Sequence, residues 1–164
     1  MTTNAEALMI MLPSEREIVV TRAFRAPRRL VWDAQTKPDL LKRWLLGPEG
    51  WSMPVCEMDL RVGGRYRWVW RRDDDGTEMA SGGIFKEIVA PERLVTTEQF
   101  EQPWYPGEGI NTIVLTESGG QTTLKQTLLY ETREIRDGVL KSGMESGVET
   151  SYQRLERILA DGGA

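Results

Sequence analysis

Met144-Glu145-Ser146-Gly147-Val148-Glu149-Thr150-Ser151-Tyr152-Gln153-Arg154-Leu155-Glu156-Arg157-Ile158-Leu159-Ala160 is the stretch on which the fold turns. Met144, Val148, Ser151, Tyr152, Leu155, Ile158 and Leu159 recur at spacings of three and four, which is one helical face. Asp161-Gly162-Gly163 ends it. Just upstream, Ser142-Gly143-Met144-Glu145 has the spacing of a capping box, and Thr132 with Glu134 has the form of a helix start. A second start or a kink is therefore expected near Ser142, inside an otherwise long C-terminal helix.

Before that helix the period is two. Six segments alternate as strands do: Met53–Leu60, Arg65–Arg72, Glu78–Val89, Arg93–Phe100, Gly109–Glu117 and Thr122–Glu131. The gaps between them are short and rich in Gly, Pro and Asp, so neighbours are expected to pair antiparallel as a meander. Arg71-Arg72-Asp73-Asp74-Asp75-Gly76 reads as a solvated hairpin turn, because a calcium loop needs alternating carboxylates and a distal Glu. A further strand, Arg16–Phe24, places Ile18, Val20, Arg22 and Phe24 on one side. Two short helices follow it. Pro27 opens the first, with Leu30, Val31 and Ala34 on its apolar face. Thr36 is positioned to cap the second, whose buried face is Leu40, Leu41, Trp44 and Leu45 and whose end is Gly47-Pro48.

The prediction is an α+β fold: a curved seven-stranded antiparallel sheet, two short helices after its first strand, and a long C-terminal helix. That helix is the one large element able to cover the apolar face of the sheet, and a curved sheet around a helix leaves space for a ligand. Residues 15–161 are expected to form one domain. Residues 1–14 are an extension whose apolar strip, Ala7 to Leu12, could add an edge strand or pair with a second copy to give a homodimer.

Composition narrows the chemistry. The chain has 164 residues, 40% of them hydrophobic and 28% charged, which is globular. Its net charge of −4 argues against nucleic acid or an anionic membrane as partner. There is no histidine, which removes imidazole catalysis and imidazole-ligated metals. The single cysteine, Cys56, excludes an intrachain disulfide and a CxxC site and reads as inert core. No metal and no cofactor is expected. Neither a membrane span nor a basic leader is visible, so the expected location is cytoplasmic. Gly63-Gly64 opens a strand rather than a helix, so it is a turn and not a phosphate loop.

The residues that could carry chemistry are those alternation turns toward the helix. Tyr66, Trp68 and Trp70 share one face of their strand, either as core packing or as the wall of a pocket for an apolar or aromatic ligand. Trp44, Met58, Phe85, Phe100, Ile113, Met144, Val148, Tyr152 and Leu155 are the apolar candidates to join them. Thr96 and Glu98 share a face with Leu94 and Phe100, Gln126 with Leu124 and Leu128, and Asn111 with Ile113. If Glu98 points inward it is a desolvated carboxyl, able to serve as acid, base or hydrogen-bond anchor; a bulge would turn it to water instead.

Several motifs together resemble one family. They are Glu17-Ile18-Val19-Val20-Thr21-Arg22-Ala23-Phe24-Arg25-Ala26-Pro27, Val31-Trp32, Thr36-Lys37-Pro38 and Trp44. Asp59 to Tyr66, Pro91-Glu92-Arg93-Leu94 and Ser142 to Gly147 continue the pattern. From about Glu15 to Ala160 the chain resembles the SRPBCC (START-like) superfamily, and within it homologues of the C-terminal domain of the heat-shock-protein-90 ATPase activator. The resemblance implies a helix-grip fold around a hydrophobic cavity. One departure is Trp44-Leu45-Leu46-Gly47-Pro48, where such homologues often carry paired tryptophans, so the cavity rim is expected to differ. The expected function is binding of a small hydrophobic or aromatic molecule. The alternatives are a cyclase- or hydrolase-type enzyme using Glu98, and a co-chaperone-like interaction domain.

Overall fold

The structure is a computed structural model, and it describes residues 7–102 and 104–162. In chain order the elements are β1 (Met9–Met11), β2 (Glu17–Phe24), α1 (Arg28–Thr36), α2 (Pro38–Trp44), β3 (Trp51–Met58) and β4 (Arg65–Arg72). Then follow β5 (Glu78–Val89), β6 (Arg93–Phe100), β7 (Gly109–Ser118), β8 (Gln121–Leu129), α3 (Arg133–Lys141) and α4 (Met144–Ala160). The strands form one antiparallel sheet in the order β1-β2-β8-β7-β6-β5-β4-β3. Consecutive strands from β3 to β8 are hairpin neighbours, the expected meander. The α1–α2 connection carries the chain from β2, beside β8, to β3 at the far edge.

The sheet has eight strands rather than seven, because Met9–Met11 pairs with Thr21, Val20 and Val19 of β2 and becomes the edge. The other edge, β3, shifts register between Ser52 and Val55. Pro54 lies there, and its missing N–H is tolerated only at an edge or a bulge. Mid-sheet, Gly82 and Gly83 let β5 approach both neighbours. A Cβ on Gly82 would lie 2.6 Å from the Tyr66 carbonyl oxygen, and one on Gly83 would collide with that of Thr97. Side chains at these two positions would push the neighbouring strands apart.

Three helix-end expectations need correction. Ser142 does not cap α4: it is helical, closes α3, and turns its hydroxyl back to donate to the Val139 carbonyl at 2.6 Å. The α4 N-cap is Gly143 in the left-handed region, φ 86°, which splits the expected long helix in two. Thr36 likewise ends α1 and donates to the Trp32 carbonyl at 2.9 Å, while Lys37 stands at the start of α2. Pro27 is the N-cap of α1 rather than its first helical residue. Thr132 does cap α3, accepting from the Ile135 N–H at 3.2 Å.

The core lies between the sheet and α4. Phe24 of β2 meets Tyr152 of α4 edge to face at 5.5 Å, and Trp44 stacks on the same tyrosine at 5.8 Å. Arg22 shares the inner face of β2 as the alternation requires. It is 6% exposed and pairs with Glu156 of α4 at 2.9 Å, so the charge is neutralised where it is buried. The loop after α2 is tied to the same helix: the Gly47 N–H donates to Ser151 Oγ and Arg154 donates to the Gly47 carbonyl, at 2.9 and 2.7 Å. Buried Arg136 donates to the carbonyls of Ser14 and Glu17, fixing α3 to the chain entering β2. Among the described residues no helix is long and apolar enough to cross a membrane.

Candidate functional site

Between α4 and the concave face of β4–β8 lies a cavity of about 580 Å³. That falls within the range of small-molecule sites, about 300–1,000 Å³. Alternation along β4 puts Tyr66, Trp68 and Trp70 on its wall, with Arg65 and Arg67 exposed on the other face. The Trp70 indole donates to the Leu45 carbonyl at 2.7 Å, and the Trp44 indole to that of Ala34 at 2.9 Å. Both rings are thereby held in place. Among the described residues neither the buried Trp68 indole nitrogen nor the buried Gln35 amide nitrogen has a partner, and both residues line the cavity.

Of the sixteen residues singled out from the sequence, fifteen line this space: Trp44, Met58, Tyr66, Trp68, Trp70, Phe85, Thr96, Glu98, Phe100, Asn111, Ile113, Gln126, Met144, Val148 and Tyr152. Leu155 does not. One turn beyond Tyr152 on α4, it is fully buried in the core instead. Helical period alone assigns a residue to the inner face; it does not say where along that face packing closes.

Residues missed at the sequence level are divided between loops and regular elements, and the loop residues form the largest new feature. Trp104 and Tyr105, between β6 and β7, form a cluster of edge-to-face rings with Phe100, at 5.0–6.1 Å. Tyr105 also meets Tyr130, just after β8, at 5.7 Å. This cluster walls one side of the cavity. An aromatic pair inside a Pro- and Gly-rich loop was the available signal. Leu45, Leu46, Gly47 and Pro48 line the space near α4, at the segment where the rim was expected to differ.

The polar groups fall into two sets. In one, Tyr152 donates to Gln126 Oε1 at 3.3 Å, and Gln126 Nε2 donates to Asn111 Oδ1 at 2.9 Å. This chain links α4 to β8 and β7. In the other, Glu98 points into the cavity from β6, so no bulge turns it outward. The register shift in β5 lies between Phe85 and Glu87 and leaves Thr96 opposite Phe85. No hydrogen bond or ion pair reaches the Glu98 carboxylate among the described residues, and burial alone pushes its pKa up to about 7. Tyr66, Tyr105 and Tyr130 have phenol pKa values raised first by burial and then by the Glu98 charge, so all stay neutral. The Tyr66 hydroxyl donates to the Thr97 carbonyl at 2.6 Å, whereas the buried hydroxyl of Tyr105 has no partner among the described residues.

Cys56, half-buried on β3, has its thiol pushed up to about 11 by burial, the reverse of what a nucleophile needs.

The family described as "Activator of Hsp90 ATPase homolog 1-like protein" has a sequence model that matches residues 25–160. Among solved structures, a Rhodobacter sphaeroides protein is 31% identical, with a TM-score of 0.88, over 94% of this chain and 99% of its own. A Nitrosomonas europaea protein is 28% identical, with a TM-score of 0.81, over 93% of this chain and 99% of its own. An AHSA1-like protein from Aeromonas hydrophila, 20% identical with a TM-score of 0.67 over 88% and 94%, shares the fold. No curated protein matches the chain.

Proposed function

We propose that this chain, which belongs to the family of Activator of Hsp90 ATPase homolog 1-like proteins, binds a small, largely apolar molecule between its sheet and α4. Membership in the family leaves two broad roles, a ligand-binding or an activator-type domain. The cavity of about 580 Å³ carries the first reading. Aromatic and aliphatic side chains supply most of its wall, and a few convergent polar groups could fix orientation. A cytoplasmic setting is part of this proposal. So is pairing of two copies through β1, which stands at the sheet edge with Met9 and Met11 each 55% exposed.

The test uses N-phenyl-1-naphthylamine, a neutral fluorophore that brightens in apolar surroundings. Saturable enhancement is expected with the wild-type chain, and Val148→Trp, which projects a large ring from α4 into the space, should weaken it strongly. Absence of enhancement, or enhancement untouched by Val148→Trp in a folded variant, would remove the reading.

The placement of Glu98 in the cavity wall, with no ion-pair partner among the described residues, favours a second role. A carboxyl with a pKa near 7 is matched to proton transfer at neutral pH. Were the chain an enzyme, Glu98 would be its acid–base group. Glu98→Gln would then abolish turnover.

A further inference from the structure

Glu98 is the one charged side chain among the described residues lining the cavity. Among the described residues its carboxylate has no cation and no hydrogen-bond donor. Opposite it on β7 stands Gly109, which contributes no side chain to fill the space beside it. The Tyr130 ring lies over that glycine, 3.5 Å from where a Cβ would be. Tyr66 and Tyr105 lie close enough for the Glu98 charge to act on them, as it does on Tyr130. Trp68 packs on Tyr66 at 4.5 Å and Phe100 on Tyr105 at 6.1 Å, extending the aromatic surround. Ring faces carry negative potential, and so does a carboxylate. A carboxylate set among aromatic rings is the electrostatic complement of an organic cation, and the carboxylate repels an anion.

Resting on the cavity reading above, we propose that the cavity selects arylalkyl amines, the aromatic body against Trp68 and Trp70 and the protonated ammonium on Glu98. The raised pKa of Glu98 supports this from a second side. A buried carboxylate without a partner costs the fold stability, and such strain is retained where function uses it. An incoming ammonium supplies the missing counter-charge and returns the carboxyl to its ionised form. The binding step is an ion pairing, with no bond made or broken. A neutral alcohol of the same shape could only donate one hydrogen bond, and a carboxylic acid would place two like charges together.

The probes are 2-(1-naphthyl)ethylamine, 2-(1-naphthyl)ethanol and 1-naphthylacetic acid, titrated against the full chain by calorimetry. At about pH 8 the amine is expected to bind at least about tenfold more tightly than the alcohol, the scale of a charge-assisted hydrogen bond. The acid should bind most weakly. In Glu98→Gln the preference for the amine over the alcohol should vanish. A pH series on the wild type needs no variant. The titratable groups facing Glu98 are Tyr66 from β4, Tyr105 from the loop after β6 and Tyr130 after β8, with Glu108 acting on Tyr66. The three phenols stay neutral throughout, so amine affinity should rise between about pH 5.5 and 8 as Glu98 ionises, with the alcohol flat.

Equal or tighter binding of the alcohol at high pH overturns the proposal, as does an amine preference that survives in Glu98→Gln. If the three probes fail while N-phenyl-1-naphthylamine binds, the amine selectivity falls and the cavity reading stands. If that fluorophore fails too, both fall.

Discussion

Replacing Glu98 by glutamine should stabilise the protein, and only above a definite pH. Glutamine keeps the shape and removes the charge. Burial raises the folded-state pKa from 4.5 to about 7, with no attractive partner offsetting it. Between those two values the folded chain binds the proton more tightly than the unfolded chain does. Stability from this group is therefore fully present below about pH 4.5 and is lost as pH rises through about 7. The full loss corresponds to about 3 kcal/mol at ~1.36 kcal/mol per pH unit. Because Glu98 is half-buried by its own surface and faces a cavity, about 2–3 kcal/mol is the expected scale. For a chain of this length that is a midpoint rise of about 4–12 °C. The assay is urea unfolding of wild type and Glu98→Gln across about pH 4 to 8.5, reading the difference between them so that all other titrations cancel. The difference should be near zero at the acid end and reach its plateau above about pH 7.5. A difference independent of pH would mean that Glu98 is solvated or already paired, and the electrostatic reading of the cavity would go with it.

Other consequences follow from named contacts. Glu156→Ala leaves the buried Arg22 guanidinium without its carboxylate. Since Glu156 is itself partly exposed, a loss of about 2–4 kcal/mol is expected by denaturation, and less than 1 would show that water reaches Arg22. Leu155→Ala, at a fully buried position outside the cavity lining, should cost about 2–5 kcal/mol while leaving fluorophore affinity per folded molecule unchanged. A change in that affinity would move Leu155 back into the site. Gly83→Ala drives a methyl group into the Thr97 carbonyl oxygen and should abolish or severely weaken folding, read by circular dichroism and thermal midpoint. Wild-type stability would mean that β5 and β6 are further apart than described. Thr132→Ala removes the α3 cap and should cost about 1 kcal/mol.

Much of this arrangement was legible in the sequence because it depends on local period. Alternation in Arg65–Trp70 is enough to send Tyr66, Trp68 and Trp70 one way and the arginines the other, and β4 obeys it. The same rule put Thr96 and Glu98 beside Leu94 and Phe100, and a spacing of three and four put Met144, Val148 and Tyr152 on one side of α4. The absence of histidine by itself excludes imidazole catalysis and imidazole-ligated metals. Period says nothing about distance across the fold. It could not say that Leu155 lies beyond the cavity, that Ser142 turns back onto α3, or that Met9–Met11 finds an edge on β2. Those outcomes depend on which surfaces meet. Nor could it say whether Glu98 has a partner, because the absence of one is a property of five strands, a loop and a helix together. The sequence by itself determined which residues share a face, and left open whether Glu98 turns inward. The tertiary structure decided that they stop short of touching, leaving one carboxyl among the described residues of an aromatic cavity, because the sheet and a helix held by Arg22, Gly47 and Arg154 enclose more volume than their side chains fill.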